Sequence, residues 1–184
     1  KSTVDSVNGI YYTFFEKIRG RLIQEFLPND FLKMGRWMAQ LHNIGEAKWA
    51  EHRATLGPSA DHKWDLLDQM YDAVAVEVRT KYFDAAEKIF NALDGKLNDH
   101  PFIRIHGDLH RGNILESPEG FVVVDFDDFV NGPAIQDVWM MMPDQNFKDS
   151  VEFNNLVKGY EELRHFPFDQ VDLIPLLRGY RMIS

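Results

Sequence analysis

Apolar side chains recur at helical spacing along most of the chain. Positions 31, 34, 38 and 41 follow a period of three to four residues, which predicts a helix from Asp30 to about Gly45, with Asp30 as its N-cap. Two further stripes predict a helical block over residues 61–93, which Asp94-Gly95 is expected to end. Later repeats predict helices over residues 134–142, 150–163 and 175–183. Pro133 is expected at the first position of one helix and Pro143 just beyond its end. The helix over 150–163 is expected to bury Val151, Leu156, Val157, Tyr160 and Leu163.

Shorter runs rich in β-branched and aromatic residues predict strands. They cover residues 10–15, 22–26, 102–105, 113–115 and 121–124. The last two flank Ser117–Gly120, a typical turn sequence, so they are expected to form a hairpin. Residues 47–60, which contain Gly57-Pro58, are expected to be a surface loop. The pattern predicts an α+β fold that is mostly α, with a small β-hairpin platform.

Composition and charge narrow the class of protein. With 184 residues, of which 45% are hydrophobic, the chain is long enough for one domain with a sizeable core. No apolar run approaches the roughly 20 residues that span a bilayer, and no leader-like segment is visible, so we expect no membrane partner. Cysteine is absent, which fits a cytoplasmic protein. The net charge of -9 argues against a nucleic-acid partner.

The positions with the clearest chemistry lie beside the predicted hairpin. Asp108 stands five residues before Asn113, and Asp125 follows the apolar run 121–124. A loop carboxylate can orient a hydroxyl and accept its proton. Magnesium prefers oxygen ligands, usually one or two carboxylates completed by phosphates and water. The pattern therefore predicts phosphoryl transfer, with Asp108 as general base and with Asn113 and Asp125 holding Mg²⁺.

Neighbouring polar residues are expected to support this site. His106 is expected to hydrogen-bond backbone and hold the loop, and Asp137 to bind the loop's backbone from the following helix. His106, Asp108 and His110 also spell a zinc-type pattern, but no nearby His or acidic cluster completes it. For Asp127 and Asp128, the favoured interpretation is a solvated or capping role.

Three motifs together resemble a known family. They are His106-Gly-Asp108-Leu-His110-Arg-Gly-Asn113, then Val-Asp125-Phe-Asp-Asp, then Asn131-Gly-Pro-Ala-Ile-Gln-Asp137. The chain resembles the aminoglycoside phosphotransferase/choline kinase family of the protein-kinase-like fold. Within it, the chain most resembles the bacterial stress response kinase A group of Ser/Thr protein kinases. The resemblance implies that Asp108 is the catalytic base, that Asn113 and Asp125 bind magnesium, and that backbone around Glu16 to Ile18 contacts the adenine of ATP.

The resemblance also implies a division of the chain. Residues 1–28 would be a remnant of small-lobe strands and hinge, and residues 29–184 the helical large lobe carrying the catalytic loop and metal site. The family's glycine-rich loop, phosphate-binding lysine and glutamate precede the hinge, yet only nine residues precede Ile10. The family's last helices would continue past Ile183. We therefore expect a fragment that turns over little ATP by itself and self-associates through the exposed edge near residues 10–15.

The phosphate acceptor and the reaction class have alternatives. The acceptor is expected to be Ser or Thr of a protein, and the alternative is a small hydroxyl compound of the aminoglycoside, choline or homoserine type. Val124-Asp125-Phe126-Asp127 also resembles the nucleophile motif of haloacid-dehalogenase-type phosphatases, although that motif usually lies near the N-terminus. A non-catalytic binding module is the remaining alternative, against which the three intact site residues argue.

Overall fold

The computed structural model of the chain describes residues 4–14, 16–142 and 147–183. Helices dominate this part. They are α1 (Pro28–Glu46), α2 (Lys63–Gln69), α3 (Val76–Leu97), α4 (Ile135–Met140), α5 (Val151–Glu161) and α6 (Ile174–Ile183), with short 3-10 segments at Arg111–Asn113, Phe147–Asp149 and Phe168–Leu173. The strands are β1 (Val4–Val7), β2 (Ile10–Thr13), β3 (Arg21–Leu22), β4 (Ile103–Ile105), β5 (Ile114–Ser117), β6 (Gly120–Val123) and β7 (Val130–Gly132). No helix in the described ranges is long and apolar enough to cross a membrane.

The described strands form three small antiparallel sheets. β1 pairs with β2, β5 lies between β3 and β6, and β4 pairs with β7. The β5–β6 hairpin keeps Ile114 opposite Val123, so the residues just outside the hairpin, Asn113 and Val124, lie side by side. β4 ends at Ile105 and leads directly into the loop that begins with His106. Two of the three sheets thus converge on the predicted site.

The core depends on a close contact between α1 and α5. A Cβ atom on Gly35 of α1 would lie 2.0 Å from the carbonyl oxygen of Leu156, and a Cβ on Gly159 of α5 would lie 2.0 Å from that of Leu32. Only glycine permits this approach, because any side chain would force the two backbones apart. Around the contact, Phe31, Met34, Met38, Leu156 and Tyr160 are fully buried.

Several helix boundaries differ from the sequence prediction. Asp30 is not the N-cap of α1 but lies one turn inside it, where its Oδ2 accepts a hydrogen bond of 3.0 Å from the backbone N–H of Leu27. Pro28 occupies the first helical turn, which suits its missing N–H. The predicted stop at Asp94-Gly95 is wrong, because α3 continues to Leu97. The Asp94 carboxylate instead accepts hydrogen bonds from Ser59 Oγ (2.5 Å) and Trp64 Nε1 (3.1 Å).

Other corrections concern elements that the pattern missed or misjudged. The block over 61–93 is two helices, because residues 70–75 form turns between α2 and α3. The 22–26 strand is wrong beyond Leu22, and the β1–β2 hairpin and β7 were not predicted. Val151 and Leu163 are 59% and 46% exposed, because they lie at and beyond the ends of α5. Phe15 and Pro143, which were expected in a strand and after a helix, lie outside the described residues.

We expect Gly159→Ala to lower the free energy of unfolding by about 1–3 kcal/mol, the usual effect of overpacking a tight contact. Gly95→Ala is the matched control, because Gly95 is also helical but a Cβ there meets no atom within 4 Å. That change should raise stability by up to about 1 kcal/mol through helix propensity. Urea unfolding followed by circular dichroism measures both. Equal effects of the two substitutions would show that the α1–α5 contact is not tight.

Candidate active site

The buried carboxylate of Asp137 holds the start of the His106–Asn113 loop. Its Oδ2 accepts a hydrogen bond from the backbone N–H of His106 and its Oδ1 one from that of Gly107, each 2.9 Å long. The imidazole Nε2 of His42 lies 3.1 Å from Oδ2. Asp137 and His42 are both fully buried. The carboxylate therefore has three donors in place of water, as a buried charge requires.

A second hydrogen bond sets the role of His42. The hydroxyl of Tyr160 lies 2.8 Å from His42 Nδ1. Burial raises the pKa of Tyr160, so its hydroxyl keeps the proton and donates it to Nδ1. His42 Nδ1 is then the unprotonated nitrogen, and Nε2 carries the single N–H of the neutral ring, which donates a hydrogen bond to Asp137. This network joins α1, α4 and α5 to the loop.

His106 and Gly107 connect the loop to the segment around Asp125. His106 Nδ1 accepts from the backbone N–H of Asp108 at 3.3 Å, so its Nε2–H donates to the carbonyl oxygen of Val124 at 3.0 Å. Gly107 has a φ of 83°, and a Cβ there would lie 2.5 Å from the carbonyl oxygen of Asp128. A larger residue would thus push away the segment that follows Asp125.

Asn113 and Asp125 lie at the same end of the β5–β6 hairpin. The backbone N–H of Val124 donates to the carbonyl oxygen of Asn113 at 2.9 Å, and Asp125 follows in the left-handed conformation, with a φ of 64°. Asn113 Nδ2 donates to the carbonyl oxygen of Asp108 at 2.9 Å. The amide nitrogen is therefore already used, and Oδ1 is the Asn113 atom suited to a cation.

These two residues fit a magnesium site completed by a nucleotide. Within residues 4–14, 16–142 and 147–183, no three His, Cys, Asp or Glu side chains lie close enough to hold a metal ion. Mg²⁺, however, usually takes only one or two protein carboxylates and fills its other positions with phosphates and water. One amide oxygen and one exposed carboxylate at a hairpin end suit that arrangement.

Asp108 borders a cavity of about 270 Å³. Its Oδ1 forms an ion pair with Nη2 of Arg181 on α6, at 2.5 Å, and its Oδ2 lies 3.5 Å from Nε2 of His110. The side chain of Asp108 is 17% exposed. The cavity is lined by Ala54, Thr55, Leu56, Asp61, Lys63, Gly107, Asp108, Asp128, Val130, Gln136, Tyr180 and Arg181.

Asp61 contributes a second carboxylate to this cavity. The hydroxyl of Tyr180 donates a hydrogen bond to Asp61 Oδ2, while Oδ1 is buried and has no hydrogen-bond partner. Desolvation by burial raises the pKa of Asp61, because burial disfavours the charged form. The cavity thus contains a carboxyl group that is less readily ionised than an ordinary aspartate.

The residues expected at the hinge do not line the cavity beside Asp108. Glu16 and Ile18 are in an irregular, exposed segment between β2 and β3, and Ile18 is 50% exposed. A second cavity, of about 460 Å³, is lined by the residues that follow: Arg21, Leu22, Ile23, Gln24, Glu25, Leu27 and Asp30, with Glu116 and Phe121 from the hairpin. Neither Glu16 nor Ile18 lines it.

Three contacts of the site were not predicted from the sequence. His42 lies on the apolar stripe of α1, where a lone polar residue signals a buried partner. Arg53 donates to the carbonyl oxygens of Asp127 and Phe129 and lies 4.2 Å from the Phe129 ring centre. Neither Arg53 nor Arg181 carries a signal in the sequence that distinguishes it from a solvated surface arginine.

Comparison with known proteins gives a family and a fold. Residues 2–172 match the phosphotransferase enzyme family. Stress response kinase A of Escherichia coli (strain K12) is 28% identical over 178 residues, which cover 95% of this chain and 54% of that protein. The serine/threonine protein kinase RdoA of Salmonella typhimurium is 29% identical over 178 residues, which again cover 95% of this chain and 54% of that protein. The chain therefore spans about half the length of the curated relatives it matches.

A solved structure shares the fold. Amicoumacin kinase hAmiN, in complex with AMP-PNP, Ca²⁺ and Ami, superposes with a TM-score of 0.72 at 16% identity. The match covers 99% of this chain and 60% of that one. At this identity the likeness concerns the fold alone, a kinase-like phosphotransferase fold.

We expect Asp61→Asn to stabilise the protein near pH 7. The raised pKa means that the folded state favours the protonated carboxyl, so ionisation above the unfolded-state pKa lowers stability. Asparagine removes this cost and still accepts the Tyr180 hydrogen bond. The difference in Tm should disappear below about pH 3, where an ordinary aspartate is protonated in both states. Melting curves across pH test this, with Asp99→Asn, an exposed carboxyl, as control. A lower Tm for Asp61→Asn at pH 7 would contradict the expected sign.

Proposed function

The chain belongs to the phosphotransferase enzyme family, and from that premise we propose that the protein is a kinase that transfers the γ-phosphoryl group of ATP to a hydroxyl acceptor. One observation carries the proposal. Asp108, at the edge of a cavity, is connected to the hairpin end that bears Asn113 and Asp125 through the Asn113–Asp108 hydrogen bond. A candidate base and candidate metal ligands thus share one rigid unit. The match over residues 2–172 favours this function over a D-x-D phosphatase.

The proposed chemistry assigns one role to each group. The acceptor hydroxyl oxygen attacks the γ-phosphorus and forms the new P–O bond, its proton passes to Asp108, and the bond to the β,γ-bridging oxygen breaks so that ADP leaves with the electron pair. Asn113 Oδ1 and Asp125 would hold Mg²⁺, which when bound supplies charge neutralisation on the ATP phosphates. Asp137 and His106 orient the loop and touch neither substrate.

The lobe assignment is part of the proposal. We assign residues 1–28 to small-lobe strands and hinge and residues 29–184 to the large lobe, with backbone around Glu16 to Ile18 contacting adenine. The irregular, exposed segment at 16–20 supports this assignment, because its residues are accessible to a ligand. The exposed apolar side chains of Val4, Val7, Ile10 and Tyr11 support the proposal that the isolated chain self-associates. We further propose a cytoplasmic protein.

For the acceptor we propose Ser or Thr of a protein. One observation supports this choice: the relatives are named stress response kinase A and serine/threonine protein kinase. A small hydroxyl compound is the second candidate, which the shared fold with amicoumacin kinase favours.

We expect Asp108→Asn and Asp125→Asn to affect different kinetic constants in protein produced from the complete coding sequence. Loss of the base should lower kcat by about 100- to 10,000-fold and leave the affinity for ATP nearly intact. Loss of the metal ligand should raise the Mg-ATP concentration needed for half-saturation, by at least the roughly 10- to 100-fold that loss of an outer-shell partner costs. Coupled-enzyme detection of ADP measures both constants.

Asp84→Asn, an exposed carboxyl on α3, is the control and should change neither constant. An unchanged kcat in Asp108→Asn would remove the assignment of the base. An unchanged half-saturating concentration of Mg-ATP in Asp125→Asn would remove the assignment of the metal ligand.

The acceptor is tested separately. We expect ATP consumption by the protein from the complete coding sequence to rise with a Ser/Thr peptide library, because the library supplies the proposed acceptor hydroxyls. Libraries with Ala in place of Ser and Thr provide the control. Stimulation by choline or an aminoglycoside, but not by the peptides, would favour the small-molecule function.

A further inference from the structure

The two carboxylate oxygens of Asp108 have different surroundings. Oδ1 is buried and faces Arg181 Nη2 at 2.5 Å, as an ion pair with no hydrogen-bond partner of its own. Oδ2 lies 3.5 Å from His110 Nε2, beyond the usual length of an N–H···O hydrogen bond. The side chain as a whole is nevertheless 17% exposed, and none of that exposure belongs to Oδ1. Because Oδ1 is closed to an acceptor hydroxyl, Oδ2 is the carboxylate oxygen left for it.

The position of Arg181 is set by the packing of α6. Leu177 and Tyr180 of this helix are buried, and the hydroxyl of Tyr180 donates to Asp61 on the other side of the cavity. Arg181 follows Tyr180 directly and lines the same cavity. A guanidinium is planar and permanently charged, so it restrains a carboxylate more strongly than a flexible ammonium does.

The imidazole of His110 is held by a hydrogen bond at the ring nitrogen that does not face Asp108. Its Nδ1 accepts a hydrogen bond of 2.9 Å from the backbone N–H of Gly112, at the start of the 3-10 turn that ends at Asn113. The neutral ring therefore carries its proton on Nε2, the nitrogen that faces Asp108 Oδ2. Oδ2 thus has a donor nearby but is not engaged by it at hydrogen-bond distance.

From these contacts we propose that Arg181 is a positioning residue for the phosphoryl transfer and that Asp108 Oδ2 is the atom that accepts the acceptor's proton. This inference rests on the proposed function. Arg181 pairs with Oδ1, restrains the carboxylate and leaves Oδ2 for the acceptor. In this role Arg181 acts through the base and not on ATP or the metal. Its loss therefore affects turnover, because the base loses its orientation, and leaves the binding of Mg-ATP unchanged.

The test compares Arg181→Ala with Arg181→Lys in protein from the complete coding sequence. The readout is ADP release, measured once with a Ser/Thr peptide library and once with water as the only acceptor. We expect Arg181→Ala to lower kcat on the order of 10- to 100-fold with an unchanged KM for Mg-ATP. Arg181→Lys should retain part of the rate. Millimolar guanidinium should restore activity to Arg181→Ala, since it can occupy the vacated place beside Oδ1.

Arg36→Ala is the matched control. Arg36 also forms a 2.5 Å ion pair, with Glu162, and its side chain is 43% exposed against 46% for Arg181, but it does not line the Asp108 cavity. Its removal should leave kcat unchanged and should not respond to guanidinium. If Arg181→Ala loses its thermal unfolding transition, Arg181→Met, which keeps the length of the side chain, takes its place.

The outcomes separate the inference from the function on which it rests. A kcat that stays equal or rises in Arg181→Ala would overturn the inference, and a rise would identify the ion pair as inhibitory. A loss of rate that guanidinium does not restore, or a raised KM for Mg-ATP, would also overturn it, as a sign of structural damage. If instead Asp108→Asn leaves ADP release unchanged, the proposed function itself fails.

Discussion

The site depends on one buried carboxylate. Removing Asp137 from water costs several kcal/mol, which only its hydrogen bonds with His106, Gly107 and His42 offset. Because two of these donors are backbone amides of consecutive residues, the carboxylate fixes the direction in which the loop leaves β4. The position of Asp108, one residue later, follows from that direction.

The hydrogen bonds of Asp137 also connect the loop to the helical core. His42 can bind Asp137 because Tyr160 holds the other side of its ring, and Tyr160 can do so because glycines bring α1 and α5 together. From the loop, His106 carries the constraint to Val124 and hence to the residue before Asp125. A contact between two helices is thereby linked, through hydrogen bonds, to the proposed base and the proposed metal ligands.

The cavity beside Asp108 differs from the buried network, because its wall contains polar groups without full sets of hydrogen bonds. Asp61 is buried with one unpartnered oxygen, and Arg181 places a second charge beside the proposed base. The burial of the Asp61 carboxyl lowers stability, and carboxyls with a shifted pKa concentrate at functional sites. This wall of the cavity comes from α6 and from the segment before α2, which are far apart in the sequence.

Local sequence determined the parts of the protein in which neighbours along the chain interact. The spacing of apolar residues gave α1 and α5, and the turn between 117 and 120 gave the hairpin that brings Asn113 and Asp125 to one end. Asn113 and Asp108 are five residues apart and meet within one loop. The break between α2 and α3 was not visible, because the apolar stripe runs on through residues 70–75. Only the tertiary structure decided which distant groups meet: His42 with Asp137, Arg53 with Phe129, and Arg181 with Asp108. The physical reason is that periodicity reports which face of an element is apolar, whereas the element that covers this face, and the charges it brings, depend on how the helices pack.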